Sequence, residues 1–191
     1  MKKAYIPILT ITSILSISSC TTILDKTTSG PITTDPGERT FGTYIDDQRL
    51  EIIVGVNLKK ADPALKTSHI NVTSFNNIIL LTGQVPTPQL IELATQTSNA
   101  VNMVRKVYNE LQVKGNTAML VRTNDTWIST KVKTAFIADK MIDSSKVKVT
   151  VEDSVVYLMG KLTQPEADYV SNVTSNIAGV QEVVRVFEYI H

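Results

Sequence analysis

The groups in this 191-residue chain that could do covalent, acid–base or metal chemistry are one thiol, two imidazoles and 18 carboxylates. A nucleophile needs a base within hydrogen-bond reach, and a metal site needs several ligands at set spacings. His69 falls in a stretch that alternates like a strand and His191 stands alone at the end, so neither has a spaced ligand partner. Asp and Glu are scattered rather than paired, and no glycine-rich phosphate loop follows a strand. The expectation is a protein that is not an enzyme, with no catalytic residue, no metal ligand and no cofactor. Cys20 is the only cysteine, which excludes an intramolecular disulfide.

The place of that thiol is informative. Lys2 and Lys3 form a basic start, Ala4 to Ile17 an apolar run diluted by Ser and Thr, and Ile17-Ser18-Ser19 leads into Cys20. The segment resembles a bacterial lipoprotein signal peptide, which implies removal of residues 1–19 and acylation of Cys20, palmitate included. The competing reading is an ordinary secreted protein with an incidental cysteine. Each buried acyl methylene contributes about 0.8 kcal/mol, so a multiply acylated Cys20 is a stable anchor. Thr21, rather than Asp, after the cysteine implies sorting to the outer membrane, facing the periplasm. Residues 21–40 are rich in Thr, Ser, Gly and Pro and read as a flexible tether, with residues 20–45 forming the lipidated N-terminal segment.

Loss of residues 1–19 takes two lysines and no acids from 19 basic and 18 acidic residues, leaving 17 against 18 and a net charge near −1. Nucleic acid is not an expected partner, because phosphate binding relies on clustered Lys and Arg.

Beyond the tether one pattern occurs twice. Leu50, Val54 and Leu58 match Ile128, Val132 and Phe136 at an offset of 78. Ile70, Val72, Leu81, Gly83 and Pro88 match Val147, Val149, Leu158, Gly160 and Pro165 at 77, and Val104 and Val107 match Val180 and Val183 at 76. A repeat of this length suits two copies of a small domain better than a solenoid. Each copy reads helix, strand, strand, helix, strand: 46–60, 69–74, 78–82, 88–101 and 104–113, then 124–140, 146–152, 154–160, 165–178 and 181–190. The expected divisions are a first domain at 46–113, a linker at 114–123 and a second domain at 124–191. Gly83 is expected to end its strand where a Cβ would meet the neighbouring helix.

The stretch from Asn124 to Lys140 has apolar residues on two sides. Ile128, Val132, Ala135 and Phe136 form one stripe at helical spacing. Trp127, Thr130, Lys131, Lys133, Thr134 and Ile137 fall largely on the other, where polar residues alone are the norm. An indole and an isoleucine beside two lysines suit a phospholipid headgroup layer. The plainer alternative is an indole folded over the edge of its own core and a stray surface isoleucine. The corresponding helix of the first copy is apolar almost all round, which predicts that Ile52 and Val56 are covered by the second domain. Its acidic residues Asp46, Asp47 and Glu51 are read as unfavourable to anionic lipid.

Arg39 to Leu50 with its Gly-Thr-x-x-Asp-Asp, His69 to Gln84, Val107 to Leu111, Asn124 to Lys133 and Lys146 to Gly160 together resemble the dual BON-domain outer-membrane lipoproteins. The resemblance covers nearly all of the chain after the signal. It implies an α+β fold of two tandem αββαβ domains, each with a three-stranded mixed sheet packed on two helices, with Gly83 and Gly160 as structural glycines. It also implies a non-catalytic role in outer-membrane integrity and recognition of anionic phospholipid, phosphatidylglycerol or cardiolipin, through Trp127, Thr130, Lys131, Lys133, Thr134 and Ile137, with enrichment at the division site. The alternative is an adaptor that presents the same face to outer-membrane assembly or cell-wall-remodelling proteins. Met103 stands where the family's terminal Gly-Val motif has glycine, so the first domain's last turn is expected to differ from that at Gly179.

Overall fold

The computed structural model of the protein describes residues 37–115 and 119–191. Cys20, the expected signal peptide and most of the expected tether lie outside them. In the first half, α1 (Phe41–Ala61) and a short α2 (Pro63–Thr67) precede β1 (His69–Phe75), β2 (Ile78–Val85), α3 (Pro88–Asn99) and β3 (Lys106–Val113). The second half repeats this with α4 (Met119–Ala138), a short 3-10 turn (Ser144–Lys146), β4 (Val147–Glu152), β5 (Val155–Leu162), α5 (Gln164–Ser175) and β6 (Glu182–Tyr189). In each half the middle strand pairs antiparallel with the first and parallel with the third, so β2 and β5 are central.

Local chemistry sets the element ends. Thr40 caps α1, its side chain accepting from the Thr43 N–H at 3.1 Å, and the helix stops before Pro63, which disfavours helical backbone at Asp62. Asp62 then caps α2, accepting from the Ala64 N–H at 2.7 Å. Pro88 and Pro165 sit in the first turns of α3 and α5, where a missing N–H costs nothing. Two expected boundaries shift. Helix α1 begins at Phe41 rather than Asp46, and α4 begins at Met119, inside the expected linker.

Both hairpins turn through residue pairs with positive φ, Asn76 and Asn77 (51° and 63°) and Asp153 and Ser154 (52° and 66°), the hand that fits strand twist. One buried carboxylate holds each turn. Asp47 accepts from the N–H groups of Asn76 and Asn77 at 3.0 and 2.9 Å, and Asp125 from those of Asp153 and Ser154 at 2.9 and 2.8 Å. The Asp47 carboxylate also accepts from Ser74 Oγ at 2.7 Å and from Arg39 at 3.1 Å. Arg39 lies over the Phe75 ring at 4.3 Å, so the last residues before α1 are pinned to the fold.

Every residue of β2 is buried, because the strand has a partner on each face. Ile79, Leu81 and Val85 point into the core of the first half with Leu50, Val54 and Leu58. The alternate residues Ile78 and Leu80 join Phe75, Tyr157, Met159 and Val186 in a separate apolar layer between the two sheets. The second half mirrors this, with Val156, Leu158 and Leu162 packed under Ile128, Val132 and Phe136. The halves therefore meet sheet to sheet. Thr73 and Thr150, equivalent residues 77 apart, approach each other at 3.1 Å between their hydroxyls, as residues beside a pseudo-twofold axis do.

Polar contacts frame that layer. Glu152 accepts from Gln84 at 2.7 Å and Asn71 at 2.9 Å, and Lys148 reaches Glu51 at 2.5 Å. Arg105 donates to both oxygens of Glu188, at 3.0 and 3.1 Å. Its hydrogen bond holds the Glu188 carboxyl below the usual carboxylate range against opposing desolvation. Burial, with Glu110 nearby, pushes the Tyr157 phenol up to about 12.

This arrangement corrects the expected cover for α1. Ile52 is 66 % and Val56 43 % exposed, because the second domain packs on the sheet and not on the helix. The continuous apolar strand, not the apolar helix, marked the surface that needs a neighbour. Gly83 is corrected too. It lies within β2 at a φ of 122°, and a Cβ there would collide with the His69 carbonyl oxygen of β1, not with a helix. Gly160 is equivalent, with a Cβ meeting the Lys146 carbonyl oxygen at 2.8 Å. Met103 and Gly179 both take a positive φ, 77° and 103°, so the methionine does not change the hand of the backbone at that turn.

Candidate functional site: the outer face of α4

Helix α4 buries Ile128, Val132 and Phe136 and turns its other side outward. Trp127 is 61 % and Ile137 77 % exposed, and Thr130, Lys133 and Thr134 between them are exposed as well. The two large apolar side chains lie ten residues apart, about 15 Å along the axis at 1.5 Å per residue. The indole is not folded into its own core.

Lys131 differs from its neighbours. It is partly buried, its ammonium donates to the Ala178 carbonyl oxygen beyond α5, and it lies 5.9 Å from the Trp127 ring centroid. It steadies the indole as much as it offers charge outward. Thr130 donates to the Thr126 carbonyl oxygen at 2.9 Å, within the helix. Lys133 and Ile137 border an apolar groove of about 280 Å³ lined also by Phe136, Val147 and Val149. The face thus combines two protruding apolar groups, an outward lysine and a shallow cleft.

The described residues contain no group of three or more His, Cys, Asp or Glu that could hold a metal, and no helix long and apolar enough to cross a membrane.

The model of the BON domain matches the chain twice, at residues 46–115 and 124–190. The chain belongs to the BON-domain family. Its αββαβ repeats and mixed sheets are that family's α+β fold, present in tandem. Among curated relatives it is 36 % identical over 159 residues to the outer membrane lipoprotein DolP of Haemophilus influenzae, covering 83 % of this chain and 81 % of that one. It is 34 % identical over 152 residues to a 21 kDa hemolysin of Actinobacillus pleuropneumoniae, covering 80 % and 78 %. The osmotically inducible protein Y of Escherichia coli is 26 % identical over 152 residues, covering 78 % and 75 %.

Sequence reasoning read Asp47 only for its charge toward lipid and passed over Asp125. The signal was available, since these aspartates keep the repeat offset of 78 while the residues before them, Asp46 and Asn124, differ.

Proposed function

We propose that the protein is a non-catalytic outer-membrane lipoprotein, anchored through Cys20 and facing the periplasm. Its second BON domain binds anionic phospholipid, phosphatidylglycerol or cardiolipin, through the outer face of α4. In this reading it supports envelope integrity and gathers where such lipids concentrate, the division site included. The outer-membrane assignment is supported by the similarity to a DolP lipoprotein across most of both chains. The lipid assignment rests on one observation, the exposure of Trp127 and Ile137 on the helix side that carries Lys133. Each large apolar side chain contributes about 1.5–3 kcal/mol when fully buried, and each lysine about 1 kcal/mol near anionic lipid. Together these suffice to seat a domain already tethered nearby.

The test is vesicle co-sedimentation of the chain from residue 21, which lacks the acylated cysteine. Trp127→Glu abolishes or sharply weakens binding to phosphatidylglycerol vesicles while the circular dichroism spectrum stays that of the parent. Unchanged binding in the folded variant removes the proposal. The groove beside Ile137 also favours a second reading, an adaptor that receives an apolar side chain from an envelope protein. A stoichiometric partner lost on Ile137→Glu, with lipid binding intact, selects it.

A further inference from the structure

Two clefts meet where the halves join. One, of about 570 Å³, lies between the first turns of α1 and the start of β4 and is lined by Phe41, Tyr44, Gln48, Ser145 and Val147. The other is the groove of about 280 Å³ beside Ile137. Ser144, Val147 and Lys148 line both, so the two form one trough from α1 to the last turns of α4. A protruding apolar residue marks each end, Phe41 at 80 % and Ile137 at 77 % exposure.

The other copy has a counterpart to the larger cleft, with different chemistry. Arg122 and Thr126 stand there at the offset of 78 from Tyr44 and Gln48, and Asn71 at 77 from Lys148. That counterpart is about 230 Å³ and is lined by His69, Arg122, Asp125 and Glu152 among others, with Glu152 accepting from Asn71 at 2.9 Å. The fold therefore does not require an open apolar cleft at this position. One copy narrows it with polar contacts, and the other keeps it open beside an aromatic wall.

Charge selects what fits the trough. Arg39 and Lys148 are paired with Asp47 and Glu51, and Asp143 is turned back on Ser145. Of the charged lining residues this leaves Glu38 at the α1 end and Lys133 at the α4 end, opposite in sign. We propose that the trough is a docking site for an extended segment of a partner protein that carries two large apolar side chains, one for each cleft. A basic residue of that segment lies beside Glu38 and an acidic one beside Lys133. Gln48, Ser144 and Ser145 supply amide and hydroxyl groups along its course, which suit a peptide backbone and have nothing to bond in an acyl chain. A uniformly anionic surface meets Glu38 with like charge. A second copy would bring α1 or α4, cylinders about 10–12 Å across, whereas these clefts have the size for single side chains. The inference deepens the adaptor reading above, and it is independent of the lipid reading, because Trp127 does not line the trough.

The chain from residue 21 is suitable for the test, because every buried apolar residue among the described ones lies between Leu50 and Phe187. A display library of random short peptides is selected on the immobilised chain, and a recovered peptide is labelled and titrated by fluorescence anisotropy. Recovered sequences are expected to share two large apolar residues bracketed by a base and an acid. Ser144→Phe fills the shared wall from an exposed position and is expected to weaken binding about tenfold or more, the scale of one large apolar side chain. Glu38→Lys with Lys133→Glu is expected to weaken it too, and to restore binding of the same peptide with its charged residues exchanged, a rescue that misfolding cannot produce. Trp127→Glu leaves peptide binding as in the parent. No enriched peptide, or enriched peptides that bind Ser144→Phe like the parent, overturns the inference. So does a dimer in sedimentation velocity, or binding to uncharged vesicles, that Ser144→Phe abolishes, since the trough then belongs to a second copy or to lipid. An envelope partner lost on Ile137→Glu but kept on Ser144→Phe sustains the adaptor reading and sinks the trough.

Discussion

Helices α1 and α4 occupy the same place in two copies of one fold, yet their outward residues are interchanged. At the offset of 78, Arg49 answers to Trp127, Ile52 to Thr130, Val56 to Thr134 and Lys59 to Ile137. Over these four positions the first helix is basic, apolar, apolar and basic, whereas the second has threonines in the middle and large apolar groups at either end. Inward, the same offset conserves character, with Leu50, Val54 and Leu58 over Ile128, Val132 and Phe136. The fold constrains the side that packs and leaves the other side free to vary. Differences between the copies are therefore where function is to be sought, and agreements are where stability lies.

That division can be broken most forcefully at the paired aspartates. Asp47→Ala strands two turn N–H groups, Ser74 and Arg39, whereas Asp125→Ala strands the two turn N–H groups of its own hairpin. Losses of about 3–5 kcal/mol and about 2–3 kcal/mol are expected in urea titrations, in that order, since an orphaned buried charge costs more than an orphaned amide. Equal losses would show that the Ser74 and Arg39 contacts of Asp47 add nothing to the stability of the first domain.

A smaller effect sharpens the comparison at the last turn. Met103 holds a left-handed φ of 77° that glycine adopts freely, so Met103→Gly is expected to stabilise the protein by about 1 kcal/mol. Gly179→Ala is expected to destabilise by a similar amount or more, since its φ is 103° and a Cβ would sit 3.2 Å from the Ile128 side chain. A loss of stability in Met103→Gly would mean that the methionine side chain contributes packing that outweighs the strain.

The junction between the copies gives the smallest effect. Arg105 lowers the folded-state pKa of Glu188, so the stabilisation is present above the unfolded carboxylate value near 4.3 and is lost as pH falls through the lowered folded value. Arg105→Met reduces this acid-side dependence, leaving the share due to the Asn76 hydrogen bond, and costs about 0.5–1 kcal/mol at neutral pH, because Arg105 is half exposed and solvent screens the pair. Thermal unfolding followed from neutral to acid pH measures it, and an unaltered pH profile would rule out the pair as its source.

Much of this was legible in the chain because apolar stripes at helical and alternating spacing recur at a fixed offset. What was not legible depends on contacts far apart in sequence. The five residues from Phe41 to Ile45 extend α1 without burying a side chain, so no core stripe announces them. The unbroken burial of β2 was foreshadowed by its apolar run, but a run does not say which surface covers its second face. At the candidate site, the outward direction of Trp127 and Ile137 follows from the helical wheel. The tie of Lys131 to Ala178 does not, because it joins residues 47 positions apart.

The most direct measurement uses the chain's single tryptophan. Trp127 emission is recorded as the chain from residue 21 is titrated with phosphatidylglycerol vesicles, then with vesicles whose acyl chains carry bromine. If α4 seats in the bilayer, emission moves to shorter wavelength and bromine quenches it, with neither change on phosphatidylcholine alone. Emission that stays at its water-exposed wavelength while the chain co-sediments with anionic vesicles would contradict the account, because the indole would then lie outside the surface that holds the protein.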